Sequence, residues 1–364
     1  ENHALMFHTC QLLAGELFPD EVFTNSGLTG RQMQAKAKNM LYDWFVTFRK
    51  EGFTEWNSSP YLPIDTLGFG SLYAFAQDPA MRELGREGMD FAYYLLAVHS
   101  QQGIFASSSG RTYIKEQFGN WSNCPSGLSW IGYGYGVPGH AGKGITSYCL
   151  SDYEPPKEFA QWFSIPRGKE MICQTTQGND GYVDLYTYKT ADYMMTSAND
   201  FHPGEPGHQE NPFQLTFNAV AQLWVTHPGE RVLFGAARPS YWAGNGTLPK
   251  VNQYKAFAGL IYDIAPEHPV DFTHLYLPSM EFDRCEVEGK WAFVQLGSAY
   301  AAVYCSNGMR MQDFGSNKDR ECIAEGRRCI WLVRAAQADE FAVFEDFKAA
   351  MRGAALDADA EGRR

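Results

Sequence analysis

Two polar side chains, Asn2 and His3, stand at the start of the first amphipathic stretch of the chain. Apolar side chains recur in that stretch at the three- to four-residue spacing of one helical face, at Met6, Cys10, Leu13 and Leu17. One turn further back the same face reaches Asn2, so we expect its amide to point inward; a helix N-cap is the alternative role. An adjacent amide and imidazole can donate hydrogen bonds to oxygens on which negative charge develops.

Further residues with chemical capacity lie in stretches rich in glycine and aromatic residues. Arg111, in SSSGRTY beside Tyr113, offers a permanently charged fork that suits a carboxylate or sulfate, or else a surface ion pair. His140 lies in VPGHAGKG and His208 in ANDFHPGEPGHQENPFQ. Either histidine could serve a site or stay structural. Trp242, in RPSYWAGNGTLP, could stack on a sugar ring or pack internally.

Composition and charge narrow the classes of function. The formal net charge of −12 over 364 residues argues against nucleic acid as a partner, because phosphate binding needs clustered lysine and arginine. No apolar run is long enough to span a membrane. The sequence has no zinc-finger spacing, phosphate loop, GxSxG or HExxH pattern, so we predict no cofactor and leave only a structural divalent metal open. Cys322 and Cys329 flank a predicted hairpin, where they could face each other or stay separate thiols.

The first hundred residues have a helical pattern. A helix at about 31–50 carries one apolar face, made of Met33, Ala37, Met40, Leu41, Trp44, Phe45 and Phe48. Gly52 follows as a stop signal. A shorter helix is predicted at about 66–77, and Asp78 with Pro79 opens another that runs to about 99. Together with the first stretch, these helices form two αα-hairpins.

The remaining chain changes character twice. Residues 103–170 are rich in Gly, Ser, Tyr and Trp, and their aromatic content argues against disorder. From about residue 170, β-prone runs bounded by turn residues predict antiparallel strands, and a last helix is predicted at about 338–352. We therefore predict an α+β protein, with a helical part at 1–170 and an antiparallel sheet part at 171–364.

The order of these elements and motifs resembles the heparinase II/III-like and alginate-lyase-like polysaccharide lyases. The counterparts of that group's motif are Asn2, His3, Gly52, Glu55, Ser59 and Tyr61. The segment departs from the usual pattern at Glu51 and Asn57, where the group often has aspartate and glutamine. The resemblance implies an incomplete α/α toroid followed by antiparallel β-sheets, with the helices that would complete the toroid expected upstream of Glu1.

The resemblance also implies roles for residues. Asn2 and His3 would hold the carboxylate of a uronic-acid sugar, and Tyr61 would move a proton during β-elimination. Apart from the resemblance, His208 is our candidate for a second catalytic histidine, because it lies in a polar segment between two predicted strands. We expect the substrate-binding set to be Glu55, Asn57, Arg111, Tyr113, His140 and Trp242. The partner would be an acidic polysaccharide, the location secreted or periplasmic, and a homodimer stays open.

Two other functions remain compatible with the sequence. A glycoside hydrolase on the same substrates needs two carboxyl groups on either side of the glycosidic bond, and Glu1, Glu55 and Asp65 are the candidates. A non-catalytic glycan-binding protein could also use this architecture. An unsaturated uronate product separates the lyase from the hydrolase, and binding without cleavage separates both from the third class.

Overall fold

The computed structural model describes residues 1–117, 120, 123–138, 143–178, 183–233 and 235–354. They form two compact units, each assembled from separate stretches of the chain. The helical unit comprises Glu1–Phe105, Trp121–Phe163 and Thr176–Tyr182, and the sheet unit comprises Ala106–Asn120, Ser164–Thr175 and Val183–Arg364. Segments of the two units alternate along the chain. The single boundary that the sequence suggests at residue 170 stays a prediction.

The described part of the chain contains both helices and antiparallel strands, which confirms the predicted α+β class. The helices are α1 (Asn2–Leu17), α2 (Gly30–Glu51), α3 (Leu62–Phe75), α4 (Pro79–Val98), α5 (Ile114–Gln117), α6 (Ser126–Tyr133), α7 (Ile145–Cys149) and α8 (Phe344–Gly353). Short 3₁₀ segments cover Lys157–Trp162 and Ser279–Glu281. Within the described residues, no helix combines the length and apolarity needed to cross a membrane.

The strands fall into a short hairpin and two larger antiparallel sheets. They are β1 (Val22–Phe23), β2 (Leu28–Thr29), β3 (Met171–Gln177), β4 (Val183–Lys189), β5 (Met194–Asn199), β6 (Phe213–Thr216), β7 (Gln222–Thr226), β8 (Lys250–Tyr254), β9 (Phe257–Asp263), β10 (Phe272–Tyr276), β11 (Arg284–Glu288), β12 (Trp291–Leu296), β13 (Ala299–Cys305), β14 (Arg310–Met311), β15 (Glu321–Glu325) and β16 (Arg328–Gln337).

The predicted apolar stripe of α1 is rotated by about one residue from the face that is buried. The buried residues are Asn2, Leu5, Thr9, Leu12 and Gly15, whereas Cys10 and Leu17 are exposed. The reason is that α1 packs against both α2 and α3. A Cβ added at Gly15 would lie 2.6 Å from the carbonyl oxygen of Gly30, so glycine permits this close approach to α2. The expectation that Asn2 is buried holds.

Helices α2 and α4 begin and end as their sequences predict. Thr29 and Gln32 form a capping box at the start of α2, which ends at Gly52 with a φ of 65°. Its buried face contains Ala37, Leu41, Phe45 and Phe48, but Met40 is 40% exposed, contrary to prediction. At the start of α4, the Asp78 carboxylate accepts a hydrogen bond from the Ala80 N–H at 2.9 Å.

The sheet unit buries a core between its two larger sheets. The eight-stranded sheet has the order β14-β15-β10-β7-β6-β5-β4-β3, and the six-stranded sheet has the order β11-β12-β13-β16-β9-β8. The core draws side chains from both, such as Leu223 and Leu275 from the first and Val303 and Trp331 from the second. On β16 buried residues alternate with partly exposed ones, as the period of two requires. Phe344 and Phe347 of α8 pack with Phe293 and Tyr300.

Cys322 and Cys329 do not face each other. Cys322 lies on β15 in the eight-stranded sheet, and Cys329 lies on β16 in the six-stranded sheet. The turn at Gly326 therefore joins strands of different sheets, so the two side chains are not cross-strand neighbours. Cys329 instead contacts Cys305, with their sulfurs 3.1 Å apart.

Candidate functional site

The start of α1 meets the segment 52–61 that follows α2. A carboxylate oxygen of Glu1 accepts a hydrogen bond from the backbone N–H of Glu55 at 3.0 Å, although 54 residues separate them. The Glu1 carbonyl accepts a second hydrogen bond from the Trp44 indole at 3.3 Å. The structure therefore brings together the two sequence motifs that were predicted to share a site.

Asn2 and His3 point in different directions from this helix start. Asn2 is 7% exposed, whereas the His3 side chain is exposed. The N-cap position belongs to Glu1, so Asn2 lies inside the first turn and does not act as the cap. The arrangement leaves a buried amide next to an accessible imidazole, and their joint action on a substrate carboxylate stays a prediction.

The segment 52–61 is also held by hydrogen bonds from residues 177 and 178, which the sequence analysis did not identify. The Gln177 side-chain amide donates to the Asn57 side-chain oxygen at 3.2 Å, and the Gly178 N–H donates to the Phe53 carbonyl at 3.1 Å. Asn57 itself is 3% exposed and has a φ of 48°, a left-handed conformation that asparagine tolerates better than most residues. No local pattern marks Gln177, because its partner is 120 residues away.

Asn57 and Gln177 each keep one unused polar atom. The Asn57 amide nitrogen and the Gln177 side-chain oxygen are buried and have no hydrogen-bond partner among the described residues. The pair therefore presents one donor and one acceptor beside the predicted site, a combination that a hydroxyl group or a water molecule can satisfy together. Asn57 as a substrate-binding residue stays a prediction.

Three carboxyl groups interact electrostatically at this place. Burial raises the pKa of Glu1 to about 7, against the opposing hydrogen bond from the Glu55 N–H. Burial also raises the pKa of Asp65, which is 3% exposed in the first turn of α3, and repulsion from Glu1 and Glu55 raises it further. At neutral pH the cluster therefore holds protons that an isolated set of carboxylates would have lost. Two carboxyl groups with raised pKa values near a third carboxyl can serve acid–base chemistry.

Tyr61 ends the segment 52–61, directly before α3. It is the N-cap residue of α3 and its side chain is half-buried. Its carbonyl accepts the N–H groups of Ile64 and Asp65, so the first turn of α3 fixes its backbone. The phenol stays on the same segment as Glu55 and Asn57, and its catalytic role stays a prediction.

A second group of predicted residues lies together in the sheet unit. One Arg111 nitrogen donates to the Tyr113 hydroxyl at 3.1 Å, and its guanidinium carbon lies 5.6 Å from the centre of the Tyr113 ring. Arg238, which sequence reasoning missed, lies at the same distance from that ring, and its carbonyl is 3.2 Å from His208 Nδ1. The exposed Arg238 guanidinium makes no ion pair with the described residues. Two guanidinium groups therefore lie around one tyrosine, and a guanidinium group suits an anionic ligand.

Two other predicted residues give less support. Trp242 is 2% exposed, and its ring stacks on His274 at 4.1 Å, so packing occupies this face and sugar stacking stays a prediction. His274 belongs to a buried network in which Glu321 accepts hydrogen bonds from His274 and Tyr241, both at 2.6 Å. His140 lies outside the described residues. In the part of the chain that the structure describes, no group of three His, Cys, Asp or Glu side chains could hold a metal ion.

Gly52 allows a direct test of how the segment is positioned. We expect Gly52→Ala to lower the free energy of unfolding by about 1–3 kcal/mol, because its φ is 65° and the new Cβ would lie 3.1 Å from Gln177 Cγ. Gly289→Ala is the matched control, since its φ is 60° but nothing lies within 4 Å of the added atom. Urea unfolding of both variants compares the loss at Gly52 with the loss at a positive φ that has open space around it. Equal losses would contradict a close contact.

The chain was compared with protein-family models, with curated proteins and with solved structures. No family model and no curated protein matches it. Among solved structures it is similar to the crystal structure of heparinase III, with a TM-score of 0.41 and 9% sequence identity. The match covers 91% of this chain and 61% of that structure, so the chain spans less than two thirds of its length. A likeness this distant carries no weight for activity.

Proposed function

We propose that the protein degrades uronic-acid-containing polysaccharide by β-elimination, on an incomplete α/α toroid followed by antiparallel sheets, in a secreted or periplasmic location. The observation that carries the proposal is the hydrogen bond between the Glu1 carboxylate and the Glu55 N–H, because it joins the Asn2–His3 helix start to the Tyr61 segment. This contact between the two segments supports a shared site in the helical unit.

β-Elimination has a physical obstacle that these residues address. The proton to be removed lies next to a carboxylate, which resists further negative charge. Asn2 and His3 would donate hydrogen bonds to that carboxylate, and Tyr61 would take the proton or deliver one to the leaving oxygen. The raised pKa values of Glu1 and Asp65 support this proposal, because a carboxyl group that keeps its proton longer repels the substrate carboxylate less than an ionised one would.

One observation favours glycoside hydrolysis as a second candidate. Glu1, Glu55 and Asp65 influence one another electrostatically, and two of them have raised pKa values. A hydrolase needs one carboxyl group that keeps its proton and another that is ionised. Under this candidate, Glu1 or Asp65 would be the acid and Glu55 the base or nucleophile.

A panel of uronic-acid glycans tests the proposal. The protein is incubated with each glycan while ultraviolet absorbance and reducing ends are followed together. Absorbance of a new carbon–carbon double bond together with new reducing ends supports elimination. New reducing ends without that absorbance would contradict elimination and indicate hydrolysis by the carboxyl groups of Glu1, Glu55 and Asp65. Binding without either signal would indicate a non-catalytic glycan-binding protein.

The exposed Arg238 guanidinium of the sheet unit is a candidate contact for an acidic glycan. We expect Arg238→Ala to weaken binding of a uronic-acid oligosaccharide about tenfold, because one charge-assisted hydrogen bond to a carboxylate is lost. The salt dependence of the dissociation constant should also become shallower. Arg328→Ala is the control, since Arg328 is exposed but paired with Asp263 at 2.9 Å. Titration calorimetry at two salt concentrations measures both effects, and equal affinities of the two variants would remove Arg238 from the site.

A further inference from the structure

Two buried thiols in the sheet unit lie unusually close together. The sulfurs of Cys305 and Cys329 are 3.1 Å apart, and the residues are 0% and 2% exposed. A disulfide bond needs a separation of about 2.05 Å, so the sulfurs are about 1 Å from bonding distance. A second sulfur contact, between Cys322 and the partly buried Met311 thioether, is longer at 3.9 Å, and a thioether cannot form a disulfide.

The register of the strands explains why these two residues meet. In the pairing of β13 with β16, Cys305 lies opposite Trp331, and Cys329 precedes Trp331 by two residues. Residues two apart point to the same face, so both thiols enter the core on one side of the sheet. Next to them the Ser306 N–H donates to the Ile330 carbonyl at 2.9 Å, and the Ile330 N–H donates to the Ser306 hydroxyl at 3.0 Å. These bonds hold the two strands together beside the sulfurs.

We propose that Cys305 and Cys329 are joined by a disulfide bond when the protein folds in an oxidising environment. The oxidant is a disulfide, either a small molecule such as oxidised glutathione or a protein oxidase of the same chemistry. The thiolate of one of the two cysteines attacks that disulfide and forms a mixed disulfide, which releases one thiol. The sulfur of the other cysteine then attacks the protein sulfur of the mixed disulfide and releases the second thiol. Two protein thiols are oxidised, one external disulfide is reduced, and the two protons leave with the released thiols.

Burial decides when the bond can form. The attacking form is a thiolate, and in the open chain, where neither burial nor the contact between the sulfurs acts, either thiol can lose its proton first. Because both residues are almost fully buried in the folded unit, the exchange takes place before the sheet closes, and the finished bond is then protected from reductants.

An alkylation count tests the inference on the full chain, independently of any activity. The protein is reduced in denaturant, refolded in a glutathione redox buffer, and unfolded again with iodoacetamide present. We expect six of the eight cysteines to be alkylated and a tryptic peptide pair linked through Cys305 and Cys329. The Cys305→Ser variant should show no link, whereas Cys322→Ser, the matched control at another buried cysteine, should keep it.

The melting temperature provides a second measurement. We expect oxidised wild type to melt about 5–10 °C above its reduced form, because the bond closes a loop with a separation of 24 residues. Cys305→Ser should show no such difference. If refolding fails, the same count is made on soluble chain expressed in a host with an oxidising cytoplasm. Eight alkylated cysteines in natively folded protein from either source, or a link between other cysteines, would overturn the inference.

Discussion

Replacing Tyr61 with phenylalanine should reduce kcat for elimination by about 10²- to 10⁴-fold, the contribution expected of a positioned proton-transfer group. The fold should survive the change. The Tyr61 backbone is fixed by the first turn of α3, and phenylalanine keeps the half-buried ring in place. Because the proposed role concerns proton transfer, KM should change far less than kcat.

The matched control for this prediction is Tyr42→Phe. Tyr42 lies on α2 and the residue is 44% exposed, so removal of its hydroxyl should leave kcat unchanged. Circular dichroism and melting curves of both variants establish that they fold alike. An elimination rate in Tyr61→Phe within about threefold of wild type would remove this phenol from the mechanism.

Replacing Glu1 with glutamine should make the protein more stable above neutral pH. The pKa of Glu1 is raised from 4.5 to about 7 in the folded state, so the folded protein binds more protons than the unfolded chain between these values. Stability is therefore lost as pH rises through this window, by up to about 3 kcal/mol. Glutamine cannot ionise, so the variant does not lose this stability. Its gain in stability over wild type should be absent near pH 4, grow between about pH 4.5 and 7, and then stay constant.

Denaturant unfolding at pH 4, 6 and 8 measures this gain. Glu345→Gln is a control of opposite sign, because ion pairs with Arg284 and Lys348 lower the pKa of Glu345, and its removal should not stabilise the protein at high pH. Glu1→Gln should also lower the pKa of Asp65 by removing one repulsive charge, which shifts any activity profile toward lower pH. A stability gain that does not depend on pH would contradict a raised pKa at Glu1.

The fold class followed from sequence because its signals are local. The capping residues Thr29 and Asp78 and the glycine at position 52 set the helix ends, and alternating burial marks β16. The face of α1 was misjudged by about one residue, because its burial depends on two neighbouring helices that a single periodic stripe does not reveal. The pairing of Cys329 with Cys305 depends on a sheet order that local patterns do not contain.

The candidate site was only partly accessible from sequence for the same physical reason. The proximity of the Asn2 helix start to the 52–61 segment could be expected from motif order. The positions of Gln177 and Arg238 could not be expected from sequence, because each contacts a residue far away along the chain. Gln177 contacts Asn57, and Arg238 contacts Tyr113. Trp242 has the residue type of a sugar platform, but the buried His274–Glu321 network gives its ring a neighbour that only the folded structure reveals.

The alternation of the two units along the chain has a consequence for synthesis on the ribosome. Asn57 emerges 120 residues before Gln177, its hydrogen-bond partner. At a typical rate of about 5–20 residues per second, this segment waits on the order of 10 s before it can be locked. During that interval the four long helices exist without the residues that fix the segment at their ends. A nascent chain stalled before residue 176 should therefore be cut by proteases between residues 52 and 61, where the finished protein is protected.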